Sequence, residues 1–205
     1  MRSNDRTFTE HARRTQIILA AIEVIAEIGY AQASIRKIAD RVGVAMSVVL
    51  YHFANKDELV REIVNHAWAD AINAVVPALD AETTMAGKLK AYILANADYM
   101  RSRRTQFSAV LDIGLSYRTA DGELMDRLEV RPDLLAGIAK LDLAAILRAG
   151  QETGEFGEFD VARTAMAIRG ALNGAVLDIA RDPDFDMDGY GKELVALFDR
   201  ATRRG

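Results

Sequence analysis

Between Arg14 and Leu59 the chain reads RTQIILAAIEVIAEIGYAQASIRKIADRVGVAMSVVLYHFANKDEL, three helical patterns parted by two very short breaks. The spacing predicts a first helix over Glu10–Ile28, with Ile18, Ala21, Ile22, Ile25 and Ile28 on one face and Gly29 as a left-handed stop. Ser34 is placed to cap a second helix ending at Val42, whose apolar stripe is Ile35, Ile38, Ala39 and Val42. Only Gly43-Val44 separates it from a third helix over Ala45–Phe53. Two short helices joined so tightly form a helix-turn-helix, in which one helix braces on a phosphate backbone and the next enters a major groove.

Charge is divided along the chain in the same sense. Residues 1–56 hold eight Lys/Arg against five Asp/Glu, a surplus of +3, so the remainder carries −7 of the total −4. A basic head on an acidic body suits a reader of polyanions.

Beyond the head the pattern stays helical. Asn55 and Glu58 form a capping-box pattern for a fourth helix to about Leu79, which Pro77 is expected to distort or end. Thr84 caps a fifth to Ser102, and a sixth fits Thr105–Tyr117. A short helix is expected over Glu123–Val130, and a longer one from Pro132 to about Thr153. Asp160 caps another to Arg181, and a last spans Gly189–Arg203. The expectation is an all-α protein of about nine helices, with a head over residues 1–56 and a larger helical ligand-binding and dimerisation body over residues 57–205.

The residues from Arg14 to Leu59 resemble the DNA-binding domain of the TetR family of bacterial transcriptional regulators. The resemblance rests on Gly29, Ser34, Ile38-Ala39, Gly43-Val44, Tyr51-His52-Phe53 and Lys56-Asp57-Glu58-Leu59 in register. Three positions depart from the family pattern. Ala45 stands where Ser or Thr usually caps the recognition helix, Ser47 replaces a usual Gly, and Leu50 replaces a usual Tyr.

The resemblance implies that Ser34, Tyr51, His52 and Lys56 position the protein on phosphates, with Arg14 adding cationic attraction. Arg36 can reach a guanine edge or a phosphate. Met46, Ser47 and Val48, on the first turns of the third helix, are the base readers, and with two of the three apolar, contact with thymine methyl groups is favoured over a hydrogen-bonded code. The family further implies a ligand pocket, for which Trp68, Tyr92, Asn96, Tyr99, Met100, Phe107, Leu111 and Asn173 are the candidates. A stripe of Ala165, Ile168, Leu172, Ala175 and Ile179, joined by Leu194 and Phe198, is the expected homodimer interface.

Other chemistries find little support. The chain has no cysteine, and His11, His52 and His66 show no metal-binding spacing. Asp70, Asp98, Asp112 and Asp178 sit on helices where carboxylates are ordinarily solvated, and no dinucleotide or phosphate-binding loop pattern occurs. No apolar run approaches the ~18–20 residues of a membrane span, and the start lacks a signal-peptide core. The expectation is a cytoplasmic, cofactor-free, non-enzymatic homodimer that binds a palindromic double-stranded operator, most simply a repressor released by a small-molecule effector. A DNA binder without an effector, a helical small-molecule-binding dimer with weak or no DNA binding, and an enzyme remain the alternatives.

Overall fold

The computed structural model describes residues 2–118, 122, 129–182 and 184–204. Among them the chain is all-α: α1 (Arg2–Ile28), α2 (Ile35–Val42), α3 (Met46–His52), α4 (Lys56–Asp80), α5 (Met85–Ser102), α6 (Arg104–Ser116), α7 (Leu135–Lys140), α8 (Leu143–Glu152), α9 (Val161–Arg181) and α10 (Met187–Thr202). The helix expected over Glu123–Val130 lies almost wholly outside the described residues.

Caps set most boundaries. The Ser34 hydroxyl accepts the Lys37 N–H at 3.3 Å, and Thr84 accepts from Gly87 at 3.0 Å. Asp160 accepts from Arg163, and Asp186 from Gly189, each at 2.9 Å. Gly29 and Gly43 take φ of 81° and 74°, left-handed values that a side chain would strain. At the start of α4, Asn55 accepts from Glu58 at 2.8 Å, while the Glu58 carboxylate reaches the Ala54 N–H at 2.8 Å.

Two expectations need correction. Pro77 does not end α4, which runs on to Asp80. Pro77 and Asn73 both lie on the exposed side, where water can satisfy the carbonyl that proline cannot bond. The single helix expected over Pro132–Thr153 is three pieces: a 3-10 turn at Pro132–Leu134, then α7, then α8. The break falls where the Asp142 carboxylate accepts the Ala144 N–H at 2.9 Å and begins a new helix.

The chain forms two compact units, Met1–Ala67 with Thr105–Arg131, and Trp68–Arg104 with Pro132–Gly205. In the first, Ile17, Ile22 and Ile25 of α1, Ile38 and Ala39 of α2, and Val49 and Phe53 pack in one core. Leu59, Val60 and Ile63 of α4 and Ala109, Ile113 and Tyr117 share that core. The three-helix head is therefore completed by the first half of α4 and by α6, residues a boundary after Lys56 leaves out. In the second unit α5 packs against α8, α9 and α10.

Candidate nucleic-acid interface

The roll of α3 is set by burial. Val49 and Phe53 are wholly buried, as are Ile38 and Ala39 of the neighbouring α2. At 100° per residue this turns Ser47 and Tyr51 directly away from the core; Met46, on the first turn, and Leu50, at the edge, are exposed as well, and Val48 and His52 are half-buried. Ala45 caps α3 without any side-chain hydrogen bond, leaving the turn to the Val48 N–H, which donates to the Ala45 carbonyl at 2.9 Å. Leu50 stands where the family pattern has a Tyr. The structure places it on the reading face.

The cations around this face divide into two groups. Arg36 is exposed and makes no ion pair among the described residues, and Lys37 is exposed beside it, donating to the Gln32 carbonyl at 3.1 Å. Ser34, also exposed, spends its oxygen lone pair on the cap and keeps its hydroxyl proton for another acceptor. Arg41, by contrast, is held by Glu23 and Glu27 on α1, which keep its pKa above the usual guanidinium range.

Arg14 and Lys56, expected at phosphates, are turned inward. The Arg14 guanidinium lies 4.4 Å from the Phe53 ring centre, donates to the His52 carbonyl and sits 3.9 Å from Glu58. Lys56 Nζ donates to the Tyr30 carbonyl at 2.8 Å and lies 3.8 Å from the Tyr30 ring centre. Burial lowers its pKa, with Asp57 opposing the shift. Both cations find an aromatic face and a backbone oxygen close by, a combination worth more than solvated charge. They fasten the head together.

Tyr51 donates a hydrogen bond of 3.3 Å to Glu10, and its ring meets His52 edge-on at 5.1 Å. Partial desolvation lowers the His52 pKa, and the Arg14 charge lowers it further. A second cluster, invisible in the sequence, joins α6 to the turn after α1. Asp112 accepts the Tyr30 N–H at 2.5 Å and the Ser116 hydroxyl at 3.0 Å, while the Tyr30 and Tyr117 rings meet edge-to-face at 5.8 Å.

Of the proposed ligand residues, Tyr92, Tyr99 and Met100 are buried in the second unit and Trp68 is half-buried there. Asn96 is half-buried and donates to the Tyr92 carbonyl of its own helix at 2.8 Å. Phe107 and Leu111 belong to the first unit, on α6. Asn173 is a correction: it lies on the exposed side of α9. The second unit also has a cavity of about 370 Å³, walled by Leu89, Ile93, Phe156 and Val195 with Lys90 and Asp199 among its lining, and none of the expected ligand residues borders it.

The dimer stripe is also corrected. Ala165, Ile168, Leu172, Ala175, Ile179, Leu194 and Phe198 are all buried within one chain, so they have no area left to offer a partner. The opposite side of α9 carries Met166, Gly170, Gly174 and Leu177, all exposed, and Leu197 is exposed on α10. A Cβ placed on Gly170 or Gly174 would meet nothing within 4 Å among the described residues.

Among the described residues no helix is long and apolar enough to cross a membrane, and no His/Cys/Asp/Glu group is arranged to hold a metal ion. A helix-turn-helix with a locked, outward recognition helix on an all-α body defines a DNA-binding regulator of transcription. Residues 17–63 match the sequence model of the bacterial regulatory proteins of the tetR family. Over that stretch the head of the chain is similar to the DNA-binding domain of that family. Over 189 residues it is 28% identical to the fatty acid metabolism regulator protein of Bacillus subtilis, covering 89% of this chain and 91% of that one. The fatty acid degradation regulator FadR of Bacillus halodurans has a similar structure, with a TM-score of 0.74 at 26% identity, covering 92% of this chain and 99% of that one. FadR of Bacillus subtilis, solved with stearoyl-CoA, gives 0.73 at 26% identity, covering 89% and 96%.

Proposed function

We propose that this regulator acts as a homodimer that represses from a palindromic operator and lets go when an apolar effector, of the long-chain acyl thioester class, binds its body. The observation that carries the reading is the exposed arc of α3, fixed by Val49 and Phe53 beneath it, together with the exposed Arg36 and Lys37 on the contacting α2. In this assignment Ser34, Arg36, Tyr51 and His52 hold phosphates, and Met46, Ser47, Val48 and Leu50 face the bases. One such helix reads few base pairs, so two copies on a two-fold axis supply selectivity.

Support for the dimer comes from the exposed side of α9. Two glycines inside a helix each cost about 1 kcal/mol relative to alanine, and nothing among the described residues uses the space they leave. A partner helix approaching closely over Gly170 and Gly174, flanked by Met166 and Leu177, does. Support for the effector comes from the relative bound to stearoyl-CoA and from the aromatic and apolar side chains Trp68, Tyr92, Tyr99 and Met100.

Release requires the effector to favour one state by about 5 kcal/mol if the switch is to be decisive. The helix α4 contributes residues to both compact units and is the continuous element through which such a bias passes. Selection of duplexes by the full-length protein from a randomised pool tests the reading, followed by titration of the selected complex with stearoyl-CoA. A palindromic consensus and release by the thioester are expected. An unenriched pool sinks the operator assignment. A thioester that binds equally well with and without operator sinks the switch.

A further inference from the structure

The reading face of α3 is unusually apolar for a surface that meets nucleic acid. Met46 is 48% exposed, Leu50 39% and Tyr51 75%, and Ser47 is the one small hydroxyl between them. These side chains cannot turn inward, because Val49 and Phe53 already fill the core beneath the helix. Neither a thioether nor an isobutyl group offers the paired donors and acceptors that read guanine or adenine edges. The exposed cations Arg36 and Lys37 on α2, the helix packed against α3, favour a polyanion as the occupant of the helix-turn-helix surface to which this arc belongs.

On the major-groove edge of a duplex the apolar feature is the methyl group at C5 of a pyrimidine. Thymine carries it, and so does 5-methylcytosine. The two differ beside that methyl, where thymine presents the O4 acceptor and the cytosine base an N4 donor. A side chain that makes only van der Waals contact senses the methyl and not this difference. Building on the regulator reading above, we propose that Met46 and Leu50 recognise C5-methyl groups, so that this head accepts 5-methylcytosine where it accepts thymine and responds to cytosine methylation of its site.

Burying one methyl is worth about 0.8 kcal/mol, close to a fourfold change in affinity. One contacted methyl in each of two half-sites then gives about 15-fold. The test uses the full-length protein and the tightest duplex selected from a randomised pool, with binding followed by fluorescence anisotropy at fixed salt. Each thymine is replaced in turn by deoxyuridine, which removes the methyl and leaves every hydrogen-bonding group in place. At contacted positions the expected loss is about fourfold per methyl. Replacing a contacted T·A pair by C·G is expected to weaken binding, and methylating that cytosine at C5 to restore affinity to within about twofold of the parent. With Leu50→Ser or Met46→Ser, thymine and uracil duplexes are expected to bind alike at the corresponding position.

Deoxyuridine duplexes bound as tightly as the parent, by protein that still prefers the parent to random sequence, overturn methyl recognition and leave the regulator reading intact. Failure to prefer any sequence overturns both. If Met46→Lys and Leu50→Lys dissociate an oligomer and leave duplex selectivity unaltered, the arc covers another copy of the chain and the proposal falls.

Discussion

Asp112 offers the sharpest test of how the head is held. Its carboxylate crosses from α6 to the turn after α1, accepting the Tyr30 N–H at 2.5 Å on one oxygen and the Ser116 hydroxyl at 3.0 Å on the other. The Tyr30 amide follows left-handed Gly29, outside the regular bonding of α1, so the carboxylate is its partner. Hydrogen bonds to charged groups contribute about 1.5–3 kcal/mol, and Asp112 is half-exposed, which puts Asp112→Ala near 1.5–2 kcal/mol. In a chain of this size that lowers the melting temperature by roughly 3–8 °C. Amide hydrogen exchange at Tyr30 reads the local effect, since the same free energy corresponds to roughly a 10- to 30-fold loss of protection. Asp112→Asn keeps an oxygen acceptor and is expected to lose about half as much, whereas Ser116→Ala, which removes only the exposed bond, is expected to change Tyr30 exchange little. If Asp112→Ala melts within about 1 °C of the parent and Tyr30 exchanges at the parent rate, the α6 contact contributes nothing and the reasoning fails.

Further perturbations separate structural from DNA-facing roles. Lys56→Ala is expected to cost about 1–2 kcal/mol of stability, read by chemical denaturation, because it removes the Tyr30 hydrogen bond and ring contact, and to leave the salt slope of DNA binding unchanged. Arg36→Ala is expected to do the reverse, lowering that slope by about one with the denaturation midpoint preserved. Gly170→Leu is expected to shift analytical ultracentrifugation toward monomer while helicity is kept, since a Cβ there meets nothing among the described residues; an unaltered dimer would place the interface elsewhere. For His52, whose pKa burial and Arg14 lower, the free head carries a neutral imidazole near neutral pH. A phosphate alongside raises that pKa, so binding takes up a proton and affinity rises as pH falls from about 7.5 to about 5.5. Anisotropy titrations of His52→Gln should lack this increment, and equal pH slopes would remove His52 from the phosphate contacts.

Local chemistry was legible in the chain itself. Ser34, Thr84 and Asp160 announce helix starts because the bonds they make lie within three residues, and Gly29 and Gly43 mark turns for the same reason. The same logic was available at Lys140-Leu141-Asp142, where Asp142 caps α8, but the continuing apolar pattern concealed the break. The family pattern over the head could be read because so many of its residues answer to one another at fixed short spacings.

What folding in three dimensions decided was the destination of each surface. A period of three and four along α9 says that Ala165, Ile168 and Leu172 share a face, and nothing in it says whether that face meets the same chain or a second copy. Packing within the second unit resolved it, leaving Met166, Gly170, Gly174 and Leu177 outside. Arg14 and Lys56 read as phosphate contacts by position, yet each turns to an aromatic ring and a carbonyl brought near by distant segments. Asp112 meets Tyr30 across 82 positions of chain. Partners so far apart in sequence leave no periodic trace, because the energy that pairs them depends on distance in space.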